Sequence, residues 1–490
     1  MRPSDRPDVL LISVDTMRRD CMAPYGHDLM PEATRLLQEG LAFDRCVAAA
    51  PWTGPSFGTM LSGLWPRQHG CLANEPRRGA AAKRSPLSPA ARTLAEMLHD
   101  AGYHTICIQG NTGYLGPGCG FGKGFDEYVV WVADRFSPQP VGGIEKHLRA
   151  LRFAGLRVYL KYLAARERRR RPRQRPVMRR AGSLARAAAR RVRRAPRDRP
   201  LFLWINFMDM HEPYCAPRRW MPPSEAPGKV RLVHLRPATK SLKKRLTEAD
   251  KQYVRRRYHN TARYVNACMA GLIARWAGWR SARSTMTVFT SDHGEEFWDH
   301  GDNRADPLYY RRGVGHGHTL FSEQLRVPLV FHWPEGGVAS RRVDHLVSLA
   351  DVTPTLVELL SLDENTSSMA GRSLAPFVTS PPEAGEDGRV VFADSIIYGA
   401  ERQAAISASR KLVVCPETGE RNLFAWGQDD PEEKTDLIGR PEHADTAKIL
   451  TAALADWNAS LANVRPPPPP PLSPEEEQFM DARLRDLGYL

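Results

Sequence analysis

Residues 8–14 (DVLLISV) are apolar at nearly every position and run into an acid, Asp15. A run of this kind has no polar face to offer water, so it predicts a strand covered on both sides. RPLFLWINFMDMH at 199–211, TMTVFTSD ahead of His293 and VPLVFHWP at 327–334 repeat the pattern. Between these runs the apolar positions fall at helical spacing. Residues 31–40 predict a short helix. TLAEMLHDAGYHTICIQGN at 93–111 reads as helix, glycine turn and strand, and 245–291 reads as a long helix, a turn and a strand. Helices alternating with buried strands predict an α/β fold, a large, mostly parallel mixed sheet sandwiched by helices. In such sheets ligands gather at the carboxyl ends of strands, where Asp15, Asn111, His211 and Asp292 stand.

The pattern changes at residues 378–388 (VTSPPEAGEDG), which predict a boundary. Residues 1–380 would form the main domain. Residues 389–462 would form a small α+β subdomain, with VVFADSII, AAISASRKLVVC and ERNLFAW as strands and a helix at about 441–462. In 463–490, RPPPPPP predicts a stiff polyproline spacer and SPEEEQFMDARLRDLGYL a terminal amphipathic helix.

Charge sharpens the map only when it is located. The chain carries +15 overall, and the sixteen arginines between Arg166 and Arg199, against Glu167 and Asp198, account for +14 of it. The basic character therefore belongs to a helical insertion at about 144–199, whose first part is amphipathic. It reads either as a solvated insertion or as a surface for an anionic membrane or polyanionic substrate. Aromatic interleaving is absent from it, which speaks against nucleic acid. The eight cysteines show no paired spacing, and neither an apolar span of about 18 residues nor an export leader is present. A cytoplasmic protein, peripheral to the inner membrane surface if the arginines bind lipid, is the expectation.

Candidate chemistry lies in three stretches. PWTGPSFGTMLSG at 51–63 puts Thr53 at a helix start, where this stretch alone reads as a helix cap, with a nucleophile facing an anion as the alternative. TSDHGEEFWDHG at 290–301 delivers Asp292 and His293 at a strand end, a usable pair of metal ligands, with Gly294 allowing a tight turn. GHGHTLFSEQLRVP offers His316 and His318 in a glycine-lined loop.

Taken in order, these stretches resemble the sulfatase family of the alkaline phosphatase superfamily over nearly the whole chain. DVLLISVDTMRRDCMAPYG resembles its opening strand and metal-binding acid, and APWTGPSFGTMLSGLWPRQHG its nucleophile helix. FGKGFDEY, LWINFMDMHEPY, TSDHGEE, HGHTLFSEQLRVPLVFHWP and VSLADVTPTLVELL follow in the family's order, and RKLVVCPETGERNLFAWGQDDPEEKTDL resembles its C-terminal subdomain. The resemblance implies that Asp15, Thr53, Asp292 and His293 ligate one divalent metal and that Thr53 is the nucleophile. It further implies that His211 and His316 contact the transferred group or protonate the leaving group. Asn111 would be a substrate contact, and His318 a second one or the rival of His316.

The chain departs from the family where sulfate chemistry starts. Members that use formylglycine make it from Cys or Ser in C/S-x-P-S-R, whereas this chain reads Thr53-Gly54-Pro55-Ser56-Phe57. Thr cannot form the aldehyde, because its β-carbon carries a methyl group. Direct attack by the Thr53 oxygen on a phosphate diester or monoester, or on a sulfate ester, is the expected reaction, with a small-molecule, lipid or glycan ester as substrate. An imidazole among the ligands, and Thr16 where a second Asp often stands, favours Mn or Zn, with Ca or Mg as alternatives. The competing expectation is a catalytically silent member that binds an anionic ligand or membrane through the Arg-rich segment.

Overall fold

The computed structural model describes residues 6–468 apart from 75–82, 117, 131–180, 213, 215, 222–246, 302–312, 380–387, 428, 429 and 431, together with residue 478. The amphipathic start of the Arg-rich segment and all but one residue of the expected terminal helix lie outside the described residues.

Eight strands form the main sheet: β1 Asp8–Val14, β2 Leu41–Val47, β3 His104–Gln109, β4 Glu127–Val130, β5 Leu201–Phe207, β6 Thr285–Thr290, β7 Arg326–His332 and β8 Arg341–Ser348. Their order across the sheet is β8-β2-β7-β6-β1-β5-β3-β4. Only β7 runs against its neighbours. The mostly parallel sheet expected from the apolar runs is present.

Helices cover both faces, which is why the strands carry no polar face. Leu10, Ile12 and Val14 of β1 pack on one side, against α1 (Pro31–Glu39), α4 (Ala181–Val192) and α5 (Glu248–Trp279). The alternate residues Val9 and Leu11 pack on the other, against α2 (Thr53–Ser62), α3 (Leu94–Asp100) and α6 (Val352–Leu359). This two-residue period places successive side chains of one strand in two different cores. The described part of the Arg-rich segment contains α4, which buries Leu184, Ala187, Ala188 and Val192 and leaves Arg186 and Arg190 exposed.

A second, antiparallel sheet is built from β9 Val391–Ala393, β10 Gln403–Ile406, β11 Arg410–Val414 and β12 Arg421–Ala425, with α7 (Ala444–Leu461) against it. The stretch AAISASRKLVVC is a hairpin rather than one strand. Ser407 N–H donates to the Arg410 carbonyl at 2.9 Å and closes the turn, because the Ser-Ala-Ser interruption lets a hydroxyl bond the backbone locally. The seven described cysteines are free thiols, as expected of a chain without a disulfide framework.

One buried ion pair clamps the amino-terminal edge of the sheet. Asp8 at the start of β1 takes two bonds from the Arg280 guanidinium at 2.6 and 2.9 Å, and a third from Leu201 N–H at the start of β5. Arg280, at the end of α5, also donates to the Pro196 and Arg199 carbonyls. Both side chains are almost fully buried. Asp8→Ala would strand a guanidinium inside the fold, so it should cost about 3–5 kcal/mol of stability by urea denaturation. A loss below about 1 kcal/mol would show that the pair is dispensable.

Candidate active site

The carboxyl ends of the central strands converge on one buried cluster. Asp15 follows β1, Asp292 and His293 follow β6, Asn111 follows β3 and His211 follows β5, while Thr53 opens α2. All six are buried. The strand ends are tied together by small polar groups. Ser291 Oγ accepts from Met17 N–H at 3.0 Å and lies 2.7 Å from the Val14 carbonyl, and Ser56 of α2 donates to the Asp292 carbonyl at 2.6 Å. Thr16, with φ of 58°, holds the left-handed conformation that turns its N–H onto Asp292 Oδ1 at 3.2 Å.

Thr53 is not a cap. The residue capping α2 is Trp52, whose side chain makes no capping bond, and Thr53 is the first helical residue. Its hydroxyl points instead toward the cluster. The Asn111 amide donates to Asp15 Oδ2 at 3.2 Å and reaches Thr53 Oγ at 3.5 Å, while Asn111 Oδ1 is held by the N–H groups of Gly113 and Tyr114. Asn111 thus bridges the acid and the hydroxyl. Phe57, where the family pattern has Arg, is fully buried against the Trp204 ring and adds nothing polar to the site.

Three electron-pair donors in this cluster are left over. Asp15 Oδ1, Asp292 Oδ2 and His293 Nε2 are buried and make no hydrogen bond among the described residues. One ligand atom from each of these residues can be chosen so that the three lie within 4.8 Å of one another. His293 Nδ1 donates to the Gly294 carbonyl at 2.9 Å, which leaves the lone pair on Nε2, 3.3 Å from Asp292 Oδ2. Burial, with the neighbouring Asp292 charge, pushes the Asp15 carboxyl up to about 8. Burial pushes Asp292 up to about 7, and it pushes the His293 imidazole down. Two acids that resist ionising beside an imidazole that resists protonation form a donor set that a divalent metal fits.

The two histidines of the glycine loop part company. A two-residue antiparallel ladder sets Gly315 opposite Glu296 and Val314 opposite Phe297. It brings Glu295 to His316 (Oε2 to Nδ1, 2.8 Å) and Glu296 to His318 (Oε2 to Nε2, 2.5 Å). The His316 ring lies 4.5 Å from that of His293 and 4.8 Å from that of His211, so His316 belongs to the cluster. His318 is buried and held by Glu296. His211 Nδ1 donates to the Glu212 carbonyl at 2.9 Å. The sequence reading passed over Glu295 and Glu296, although two adjacent acids just beyond a strand and two histidines one residue apart were a visible signal.

Gly294 serves close approach rather than a tight turn. A β-carbon there would sit 2.0 Å from the Glu323 carbonyl oxygen, the group that accepts from Glu295 N–H at 3.1 Å.

The family model described as Sulfatase matches residues 7–362. An arylsulfatase of Clostridium perfringens is 21% identical over 92% of this chain and 94% of its own length. Among solved structures, a 2-O GAG sulfatase aligns with a TM-score of 0.66 at 17% identity, covering 94% of this chain and 93% of its own. The phosphonate monoester hydrolase of Agrobacterium radiobacter aligns with a TM-score of 0.64 at 21% identity, covering 93% and 96%.

Protons and a metal would compete for the same two carboxylates, which fixes a sign. A carboxyl whose pKa is raised in the metal-free fold stabilises that fold at acid pH, and the benefit is lost as pH rises from about 4 through about 7 and 8. A bound divalent ion replaces those protons, so its stabilising effect should grow over the same window. The shift in Tm on adding Mn2+ to metal-free protein should be clearly larger at about pH 8 than at about pH 5. Equal shifts at the two pH values would place the metal on other ligands.

Proposed function

The chain belongs to the sulfatase family of ester hydrolases, and we propose that it cleaves a phosphate ester, with Thr53 as the nucleophile in place of formylglycine. The observation that carries this reading is the Thr53 hydroxyl, buried at the first position of α2 and reached by the amide that also holds Asp15. The preserved cluster argues against a silent family member, because three buried donors without partners would be a standing cost with no return.

Asp15, Asp292, His293 and Thr53 would hold one divalent ion, with Mn or Zn favoured by the imidazole. Such an ion supplies charge neutralisation on an ester oxygen and lowers the pKa of the Thr53 hydroxyl. The side chains account for the rest. Asn111 orients the Thr53 oxygen, which attacks phosphorus and displaces the leaving oxygen, forming a phosphothreonine. Water then attacks that phosphorus and frees Thr53. His211 and His316 flank the reacting group and exchange protons with the leaving oxygen and the water. Phe57 in the core deprives the site of the arginine expected for a formylglycine sulfatase, and the threonine methyl closes the aldehyde route.

Thr53→Ser keeps a hydroxyl and should retain measurable turnover of an aryl phosphodiester. Thr53→Ala should lose several orders of magnitude, at least about 1,000-fold, in kcat. Because the hydroxyl caps nothing, neither change should lower Tm by more than a few degrees. The wild-type enzyme should turn over p-nitrophenyl phosphodiesters faster than p-nitrophenyl sulfate. Wild-type turnover in Thr53→Ala would end the assignment.

A further inference from the structure

The described end of the Arg-rich segment, α4, borders a groove against α5. The two helices are tied where Gly182 N–H donates to the Tyr264 hydroxyl at 2.9 Å. Beyond that tie the facing residues are small, Gly182, Ala185 and Ala189 on α4 and Ala267 and Gly271 on α5, and they leave a groove of about 520 Å3. Three arginines border it: Arg186 of α4, Arg275 of α5 and Arg219 from the short turn Arg218–Trp220. No acid lines the groove among the described residues.

The three guanidiniums have no acidic partners. Arg186 Nη2 donates to Ser183 Oγ at 3.1 Å and Arg275 Nη1 to the Gly271 carbonyl at 3.3 Å, and none of the three forms an ion pair among the described residues. Two of them fold back over their own helix. A β-carbon on Gly182 would lie 3.6 Å from Arg186 Nη1, and one on Gly271 would lie 3.6 Å from Arg275 Nη1. The groups behind the groove supply no compensating charge. Burial pushes the Cys268 thiol up to about 11 and raises the Tyr264 hydroxyl as well, so both are neutral at physiological pH. Asp209 acts on both of these groups, but it is buried at the start of α4, where its carboxylate accepts the Ala181 N–H at 2.7 Å. Three like charges around one groove favour an anion within it.

We propose that this groove holds the phosphate headgroup of an anionic phospholipid and so seats the chain on a membrane surface. Guanidinium groups suit phosphate oxygens because their N–H donors form a planar fork. The surroundings decide the source of the phosphate. Arg186, Arg219 and Arg275 are exposed, so the groove opens outward, whereas a free small molecule is ordinarily enclosed over most of its surface. Arg190, Arg193, Arg194 and Arg197 are exposed in the same segment and extend the cationic character that an anionic leaflet attracts. This site is independent of the chemistry assigned to Thr53.

Sedimentation of the full-length protein with lipid vesicles tests the proposal. Wild type should bind phosphatidylcholine vesicles that contain about 30% phosphatidylglycerol, should ignore pure phosphatidylcholine, and should bind less as salt rises. R186Q/R219Q/R275Q should weaken the binding about 100-fold, roughly fivefold for each arginine. R190Q/R193Q/R194Q removes the same charge outside the groove and should cost less than about 5-fold. A267L keeps every arginine but fills the groove, and it should weaken binding by about 10-fold or more. Equal losses in the two triple variants would overturn the groove in favour of diffuse charge, and wild-type binding by A267L would overturn it too. Equal binding to both kinds of vesicle, or binding to neither, would overturn the lipid. The soluble probe is sn-glycerol 3-phosphate. If it binds wild type and not R186Q/R219Q/R275Q while vesicles are ignored, the groove takes a free phosphate ester and the membrane proposal fails. Tm is measured for each variant. If the groove triple does not fold, A267L decides alone, since an exposed helical Ala→Leu change costs little.

Discussion

The structure depends on two carboxylates and one imidazole kept out of water with electron pairs unspent. Each ionised carboxylate buried without a partner costs roughly several kcal/mol, and here two of them face one another. Protonation relieves this cost at acid pH, and a bound cation would relieve it at higher pH. The directions of the Asp15, Asp292 and His293 shifts are this same tension seen from the side of the proton.

The sheet makes the arrangement possible. Strands buried on both faces can end abruptly, and their carboxyl ends form a rim on which β1 and β6, which are neighbours, present Asp15 and Asp292 within reach of each other. Short polar bonds from Ser291 and Thr16 tie the two strand ends together, and one from Ser56 ties them to α2. At the opposite edge the Asp8–Arg280 pair joins β1, β5 and α5, so the central strand is anchored at both ends. The departure from the family pattern is local. Thr53 and Phe57 change what the α2 terminus can do to an ester, while the acids, the histidines and the sheet that carries them remain.

Much of this was legible in the sequence, for identifiable reasons. The runs at 8–14 and 201–207 are apolar at nearly every position, as a doubly covered strand requires, and the acids that follow them mark the rim. β2 and β8 were missed because Asp44 and Arg45, in the strand next to the edge, and Arg341, Arg342 and Asp344, in the edge strand itself, break the apolar pattern where side chains reach water. The cap reading of Thr53 yielded to a one-residue difference in where α2 begins, and element ends are the least certain part of any pattern. Tyr214 lay beyond sequence reasoning for a different reason, because a strained backbone brings its hydroxyl to Glu295 and leaves no periodicity.

If the cluster beside Thr53 holds one cation, diffraction at the zinc absorption edge from crystals grown with Zn2+ should show one anomalous peak about 2.0–2.2 Å from ligand atoms of Asp15, Asp292 and His293, with the Thr53 oxygen completing the shell. A peak ligated by other residues, or a cluster that stays empty while zinc binds elsewhere, would contradict it.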